Sequence, residues 1–101
     1  MKHDKLVRDR IPEIIKAKGQ TATFREVSVE EYGERLVDKL REEVEEFARD
    51  RNAEELADIL EVVKAICAHH GFDEKEVEAV RVEKGIERGI FEKRIVLESV
   101  E

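Results

Sequence analysis

Three helix-start signals divide most of this chain and restrict its fold to helices joined by short connections. Each signal is a capping side chain followed three residues later by a glutamate, an arrangement that satisfies backbone N–H groups at a helix start. The three pairs are Ser28 with Glu31, Asn52 with Glu55, and Asp73 with Glu76. Glycine at position 71 favours a helix stop, and glycines 85 and 89 favour a second one. We therefore predict helices over about residues 28–50, 52–70 and 73–85.

The flanking segments predict a short first helix and a small β-ribbon. Pro12 is tolerated in a first helical turn and Gly19 favours a stop, so a helix should run to about Lys18. Thr21–Val27 is rich in β-branched residues, and Phe91–Val100 reads FEKRIVLESV. These two segments could pair as a two-stranded ribbon beside the helices.

Apolar residues recur at helical spacing in the second and third predicted helices. The stripe of the second helix is Tyr32, Leu36, Leu40, Val44 and Phe47; that of the third is Leu56, Ile59, Leu60, Val63, Ile66 and Cys67. Because the connection between them is short, the two helices should pack antiparallel as a hairpin. The predicted fold is therefore mainly all-α, a single domain over residues 1–101, with hairpins of two chains completing a four-helix bundle.

Composition excludes several classes of protein. The chain has 101 residues, of which 45% are charged, and a net charge of -7. The longest apolar run is Ala65–Ala68, too short for a membrane span, and the first ten residues are too charged for a signal peptide. The acidity disfavours a nucleic-acid polymer as partner. A single cysteine, Cys67, allows no internal disulfide, so we expect a cytoplasmic protein.

Two pairs of acids lie near the apolar faces of the hairpin helices. On a helical wheel Glu43 falls within the apolar arc of the second helix, and Glu55 within that of the third. Glu46 lies at the edge of its arc and Asp58 just outside. The members of each pair are three residues apart, so their Cβ atoms lie about 5–6 Å apart on one helix surface.

Acids in these positions are typical of a metal site. A carboxylate close to a core is costly unless it is paired, and no Lys or Arg of these helices faces the same way strongly enough to neutralise four acids. A hard divalent cation would remove the repulsion, and all-oxygen ligands favour Mg²⁺, Mn²⁺ or Ca²⁺ over zinc. The competing interpretation is a solvated acidic surface. We apply it to four outward-facing acids: Glu42, Glu45, Glu54 and Glu61.

Two weaker patterns have a structural and a functional interpretation. Cys67 and His70 resemble half of a zinc site, but the chain has no second half, so a core cysteine beside histidines at a helix C-terminus is favoured. The bases form two groups, which are either solvated faces or phosphate-binding surfaces. The groups are Lys5, Arg8 and Arg10, and Lys84, Arg88, Lys93 and Arg94.

The acidic segments also resemble a known family. Residues 42–46, EEVEE, followed by residues 55–58, ELAD, match the EExxE…ExxD signature of the MazG-like all-α nucleoside triphosphate pyrophosphohydrolases. The opening KLVRDRIPEII and the ending EKGIERGIFEKRI are similar to the branch labelled phosphoribosyl-ATP pyrophosphohydrolase-like. The resemblance covers nearly the whole chain. Only eight residues separate Glu46 from Glu55, which leaves little room for substrate-selecting insertions.

The resemblance implies an enzyme that cleaves a nucleoside triphosphate between its α- and β-phosphates, giving a monophosphate and pyrophosphate. It implies Mg²⁺, with Mn²⁺ as the alternative, bound by four residues: Glu43, Glu46, Glu55 and Asp58. Glu42 and Glu43 are the candidate catalytic residues, with Glu42 orienting a water. The candidate phosphate-binding residues are Lys84, Arg88 and Arg94, followed by Arg8 and Arg10. Phe91 or Tyr32 could stack on a base.

Three functions therefore compete. The first is a house-cleaning pyrophosphohydrolase that acts on non-canonical nucleotides. The second has the same chemistry on phosphoribosyl-ATP in histidine biosynthesis, and the third is a non-catalytic helical module whose acids are merely solvated. With so few helices per chain, we also expect a homodimer or homotetramer, with the active site near an interface.

Overall fold

The computed structural model describes residues 4–101, and all regular secondary structure in that range is helical. The helices are α1 (Ile11–Ala17), α2 (Val29–Asp50), α3 (Ala53–His70) and α4 (Glu74–Arg88). The all-α prediction is confirmed. The ribbon prediction is wrong, because neither Thr21–Val27 nor Phe91–Val100 forms a strand. Both segments are almost entirely exposed, and an isolated two-stranded ribbon without a packed face is only marginally stable.

The predicted caps set the starts of the three longer helices. Ser28 Oγ accepts a hydrogen bond from the Glu31 amide at 3.1 Å, and Asn52 Oδ1 accepts one from the Glu55 amide at 3.0 Å. At α4 the Asp73 carboxylate instead accepts from the amide of Lys75, one residue earlier than the predicted Glu76. The helix starts follow from these local bonds, which need no tertiary partner.

The α2–α3 hairpin is the main packing unit of the described chain. α2 ends at Asp50 and is capped by Arg51, whose φ of 49° places it in the left-handed region. α3 then starts at Ala53. The apolar core of the hairpin is small: Leu36 is 2% exposed, Cys67 5% and Val62 8%. At the open end the helices approach closely, and a Cβ on Gly33 would lie 2.6 Å from His69 Nε2.

The N-terminal segment, residues 4–10, lies across one face of this hairpin. Arg35 Nη1 of α2 donates a hydrogen bond to the Asp4 carbonyl at 2.7 Å. Leu6 and Val7 are half-buried, as are Ile11 and Pro12 at the start of α1. The segment therefore covers part of the hairpin before the chain enters α1.

The C-terminal arm, residues 74–101, comprises α4 and the irregular segment that follows it. α4 has no buried residue, and extensive helix–helix packing over residues 4–101 is confined to α2 and α3. The molecule measures 57 × 31 × 26 Å, with a radius of gyration of 17.8 Å. A compact chain of this length would have about 13 Å. None of the described helices is both long enough and apolar enough to cross a membrane.

Candidate metal centre

Four carboxylates converge between α2 and α3, and we call them the acidic quartet. They are Glu43, Glu46, Glu55 and Asp58, and one oxygen of each lies within 4.8 Å of the others. The hairpin creates this arrangement, because each helix presents two acids three residues apart and antiparallel packing places the pairs opposite each other. The four residues predicted as metal ligands are thus the four that the fold brings together.

Glu43 is the most unusual member of the quartet. It is only 6% exposed, although ionised side chains are rarely so deeply buried. Its Oε1 lies 3.3 Å from Lys39 Nζ, whereas its Oε2 is buried without any hydrogen-bond partner. Glu55 Oε2 is likewise buried without a partner. Two buried acceptor atoms of the quartet, one from each helix, therefore have unused lone pairs.

Two cations offset part of the charge of the quartet. Lys39 reaches Glu43 from the preceding turn of α2, and Arg8 Nη2 of the N-terminal segment donates to Asp58 Oδ1 at 2.7 Å. Four carboxylates and two cations leave a formal charge of -2. One divalent cation would balance that charge and satisfy the two unpartnered oxygens, so these residues fit a hard metal ion.

The pKa of Glu43 also reflects its surroundings. Burial raises it above the ordinary value, and the negative charges of Glu46 and Asp58 raise it further. The hydrogen bond and positive charge of Lys39 act in the opposite direction without cancelling the rise. The ion-free site therefore resists ionisation of Glu43, whereas a bound cation would favour it.

Glu42 departs from the solvated, outward position predicted for it. It is half-buried and accepts hydrogen bonds from Lys5 at 2.9 Å and Lys39 at 3.3 Å. Burial alone would raise the pKa of Glu42, but these two cations outweigh it and lower the pKa. The same hydrogen bond raises the pKa of Lys5. Glu42 is thus held ionised beside the quartet. The other three acids of that group, Glu45, Glu54 and Glu61, are exposed as predicted.

The predicted phosphate-binding cations lie in different places. Arg8 is at the quartet, whereas Arg10 pairs with Glu13 of α1 at 3.1 Å. Three more belong to the C-terminal arm: Lys84, Arg88 and Arg94. Within residues 4–101, none of these three forms an ion pair with any acid. The described chain therefore brings one of the five predicted cations to the acids.

Sequence reasoning missed the roles of Lys39 and Lys5. The signal for Lys39 was present, since it lies three and four residues before Glu42 and Glu43, a spacing that favours ion pairs along a helix. Lys5 lies 37 residues from Glu42, so its contact depends on the path of the N-terminal segment. Such a contact has no signature in a single sequence.

The histidines of α3 take part in aromatic packing. His69 meets Tyr32 edge-on at 5.3 Å between ring centroids, and His70 stacks on Phe72 at 5.4 Å. Cys67 is buried, as the core interpretation predicts. Phe91, the other residue suggested for base stacking, is fully exposed in the C-terminal arm.

Comparison with known proteins finds a partial match to an uncharacterized protein. No protein-family model and no solved structure matches the chain. A segment of 42 residues is 55% identical to part of an uncharacterized protein of Mycolicibacterium smegmatis. The match covers 42% of this chain and 43% of that relative, so the chain spans less than half the length of the protein it matches.

Proposed function

We propose that this chain is a cytoplasmic, magnesium-dependent nucleoside triphosphate pyrophosphohydrolase that acts on non-canonical nucleotides. One observation carries the proposal. Glu43 is 6% exposed, has a buried oxygen without a hydrogen-bond partner, and belongs to a cluster with three more carboxylates. A structural ion-pair network rarely leaves such an atom unsatisfied, whereas a site that binds a hard divalent cation requires free carboxylate oxygens.

The quartet would hold Mg²⁺, with Mn²⁺ as the alternative. When bound, the ion would supply charge neutralisation at the phosphate oxygens and activation of the attacking water. The residues of the chain account for the rest. Without a cation the quartet would repel a triphosphate, since both carry negative charge. Substrate binding should therefore depend on prior or simultaneous binding of the ion.

Glu42 has the properties of a water-orienting residue. Lys5 and Lys39 hold its two oxygens in place and keep it ionised by lowering its pKa. An ionised carboxylate accepts hydrogen bonds and so can align a water for attack on the α-phosphorus. We assign Glu42 this positioning role next to the metal ligands.

Arg8 has the properties of a phosphate-binding residue. Its side chain is 56% exposed, and its one ion pair, to Asp58, links it to the quartet. If Asp58 turns to the metal, the Arg8 guanidinium is free to donate to a phosphate oxygen, for which its planar geometry is suited. Arg8 would thus offset the charge of Asp58 in the empty site and of phosphate in the loaded one.

A nucleotide panel with product analysis tests the proposal. The panel includes the standard triphosphates, oxidised and deaminated analogues, and phosphoribosyl-ATP, each with Mg²⁺ or with EDTA. We expect pyrophosphate and a monophosphate with Mg²⁺ only. Release of orthophosphate instead would place the cleavage elsewhere, and preference for phosphoribosyl-ATP would identify the biosynthetic alternative.

Matched glutamine variants connect the activity to the site. Glu43→Gln should abolish turnover, because it removes a buried ligand while retaining the shape of the side chain. Glu45→Gln is the control, since Glu45 lies on the same helix but is exposed. Wild-type turnover in Glu43→Gln, or no hydrolysis of any panel member, would refute the proposal and favour a non-catalytic module.

A further inference from the structure

Arg35 of α2 grips the start of the N-terminal segment. Its Nη1 donates a hydrogen bond to the Asp4 carbonyl at 2.7 Å, and its Nη2 donates one to Asp4 Oδ1 at 3.3 Å. The Arg35 side chain is 23% exposed, and its Nε donates to Glu31 Oε2 at 3.1 Å. One carboxylate therefore fixes the guanidinium on α2 while its other two nitrogens hold Asp4. We call the contact between Arg35 and Asp4 the segment clamp.

The segment clamp holds Asp4 in an unfavourable backbone conformation. Its φ is 42°, in the left-handed region that few residues other than Gly, Asn and Asp adopt. Such a conformation persists where surrounding contacts determine it, and Arg35 contacts both the carbonyl and the carboxylate of this residue. The turn is followed directly by Lys5, whose Nζ donates to Glu42 Oε1 at 2.9 Å.

Arg35 and Glu42 lie on the same face of α2. They are seven residues apart, which corresponds to about 10 Å along the helix axis and about 20° around it. Asp4 and Lys5 span this distance, because the first is bonded to Arg35 and the second to Glu42. All four of these residues also line one cavity of about 70 Å³. The segment clamp and Glu42 are therefore parts of one continuous arrangement.

Lys5 matters to Glu42 because the other nearby cation is shared. Lys39 Nζ lies 3.3 Å from Glu42 Oε2 and also 3.3 Å from Glu43 Oε1, so it serves two carboxylates. Lys5 holds the second oxygen of Glu42 at the shorter distance of 2.9 Å. A lysine side chain is long and flexible, so its ammonium stays in one place only if its backbone is fixed. The orientation of Glu42 thus depends on where the segment places Lys5.

We propose that Arg35 is a positioning residue for Glu42: by clamping Asp4, it places Lys5 against the Glu42 carboxylate. The inference rests on the proposed function, in which Glu42 orients the attacking water. It extends the site by Arg35 and Asp4, which lie outside the acidic quartet, and it gives the N-terminal segment a part in the chemistry.

Acetylation of Lys5 by a trace of acetic anhydride, read by mass spectrometry, tests the clamp without metal or substrate. An amine held in an ion pair stays protonated and reacts slowly. We expect Lys5, measured against the exposed Lys16, to react roughly two- to five-fold faster in Arg35→Ala than in the wild type. Arg41→Ala is the control, since it removes an exposed arginine of the same helix and should leave the ratio unchanged.

Two variants of Asp4 test the backbone turn and leave every residue of α2 in place. Asp4→Pro fixes φ near -65° and so forbids the turn, whereas Asp4→Gly allows it and keeps the carbonyl that accepts from Arg35. We expect Lys5 in Asp4→Pro to react as fast as in Arg35→Ala. In Asp4→Gly its reactivity should stay within about two-fold of the wild type.

Steady-state kinetics with Mg²⁺ and the preferred nucleotide of the panel test the consequence for Glu42. Arg35→Ala and Asp4→Pro should lower kcat roughly ten-fold, because the water is less well aligned. KM should change by less than about two-fold, since Arg8 keeps its own contact with the quartet. Arg41→Ala should retain the wild-type kcat.

The results also separate this proposal from the proposed function. Unchanged Lys5 reactivity in Arg35→Ala and Asp4→Pro, or an unchanged kcat in both, would overturn the role of Arg35 while the wild type remains an active enzyme. A wild type that hydrolyses no nucleotide would overturn the proposed function and this role together.

Discussion

The α2–α3 hairpin and the C-terminal arm form helices by the same local rules but differ in what surrounds them. α3 and α4 both begin with a side-chain cap, yet the hairpin contains every buried residue of the described chain and α4 contains none. The hairpin buries even a carboxylate, whereas the arm exposes Phe91 completely. Capping determines where a helix starts, but a packing partner determines what it buries. Within residues 4–101, extensive helix–helix packing of this kind is confined to the hairpin.

The largest expected effect is a difference in how much a side chain of each region contributes to the free energy of unfolding. Leu36→Ala should lower the free energy of unfolding by about 2–5 kcal/mol, because Leu36 is 2% exposed and leaves a cavity. Phe91→Ala should change it by less than about 0.5 kcal/mol, because Phe91 is fully exposed. Urea denaturation measures both. If the two variants lost equal amounts of unfolding free energy, the arm would have to pack on its own hairpin.

The next effect concerns the buried charge of the hairpin. The pKa of Glu43 is raised in the folded chain, so the folded state binds that proton more tightly than the unfolded state. Stability is therefore lost as the pH rises from the unfolded value of about 4.3 through the folded value, and it stays lower above that. In EDTA at neutral pH we expect Glu43→Gln to be more stable than the wild type, with the difference vanishing at acidic pH.

Mg²⁺ should reverse that order. At about 100 times its Kd, the ion should stabilise the wild type by about 2.7 kcal/mol and Glu43→Gln by nothing. Glu45→Gln serves as the control and should respond like the wild type in both buffers. Thermal melts across pH, with and without the ion, provide the data. A Glu43→Gln variant that is less stable than the wild type in EDTA would show that the buried carboxylate is satisfied without a metal.

A smaller effect concerns the cation that the N-terminal segment brings to the hairpin. Arg8→Ala should change stability by less than about 1 kcal/mol, because the Arg8–Asp58 pair is largely exposed. Removing this competitor for Asp58 should tighten Mn²⁺ binding roughly two- to five-fold. Calorimetric titration measures this affinity. Arg10→Ala, which disrupts a pair outside the quartet, should leave it unchanged, and weaker binding in Arg8→Ala would refute the competition.

The smallest effect concerns the turn that closes the hairpin. Arg51 has a φ of 49°, a region in which only glycine is free of strain. Arg51→Gly should stabilise the chain by up to about 1 kcal/mol, reduced by loss of the hydrogen bond from Arg51 Nε to the Ala48 carbonyl. Arg49→Gly, inside α2, should instead destabilise by about 1 kcal/mol. Chemical denaturation of the two variants should give opposite signs.

The features predictable from the sequence are those with local causes. Caps at Ser28 and Asn52 define α2 and α3, and the helical period alone placed Glu43 and Glu55 on inward faces. Antiparallel packing then brought in Glu46 and Asp58. The full set of four ligands was predicted only through the resemblance to the EExxE…ExxD signature, because the helical wheel placed Glu46 at the edge of its apolar arc and Asp58 just outside.

The features that could not be predicted have distant causes. Contacts such as Lys5–Glu42 and Arg8–Asp58 join residues 37 and 50 positions apart. The missing ribbon is another case, because strand pairing depends on a surface to pack against, which Thr21–Val27 lacks. Helical periodicity describes each element well but does not determine where a connecting segment runs.

Anomalous diffraction from crystals containing Mn²⁺ tests the central claim most directly. A divalent-cation site in the hairpin predicts one strong manganese peak contacted by carboxylate oxygens of Glu43, Glu46, Glu55 and Asp58, and its loss in crystals of Glu43→Gln. Crystals at saturating Mn²⁺ with no peak at the quartet, or with the four carboxylates turned outward into solvent, would contradict a divalent-cation site in the hairpin.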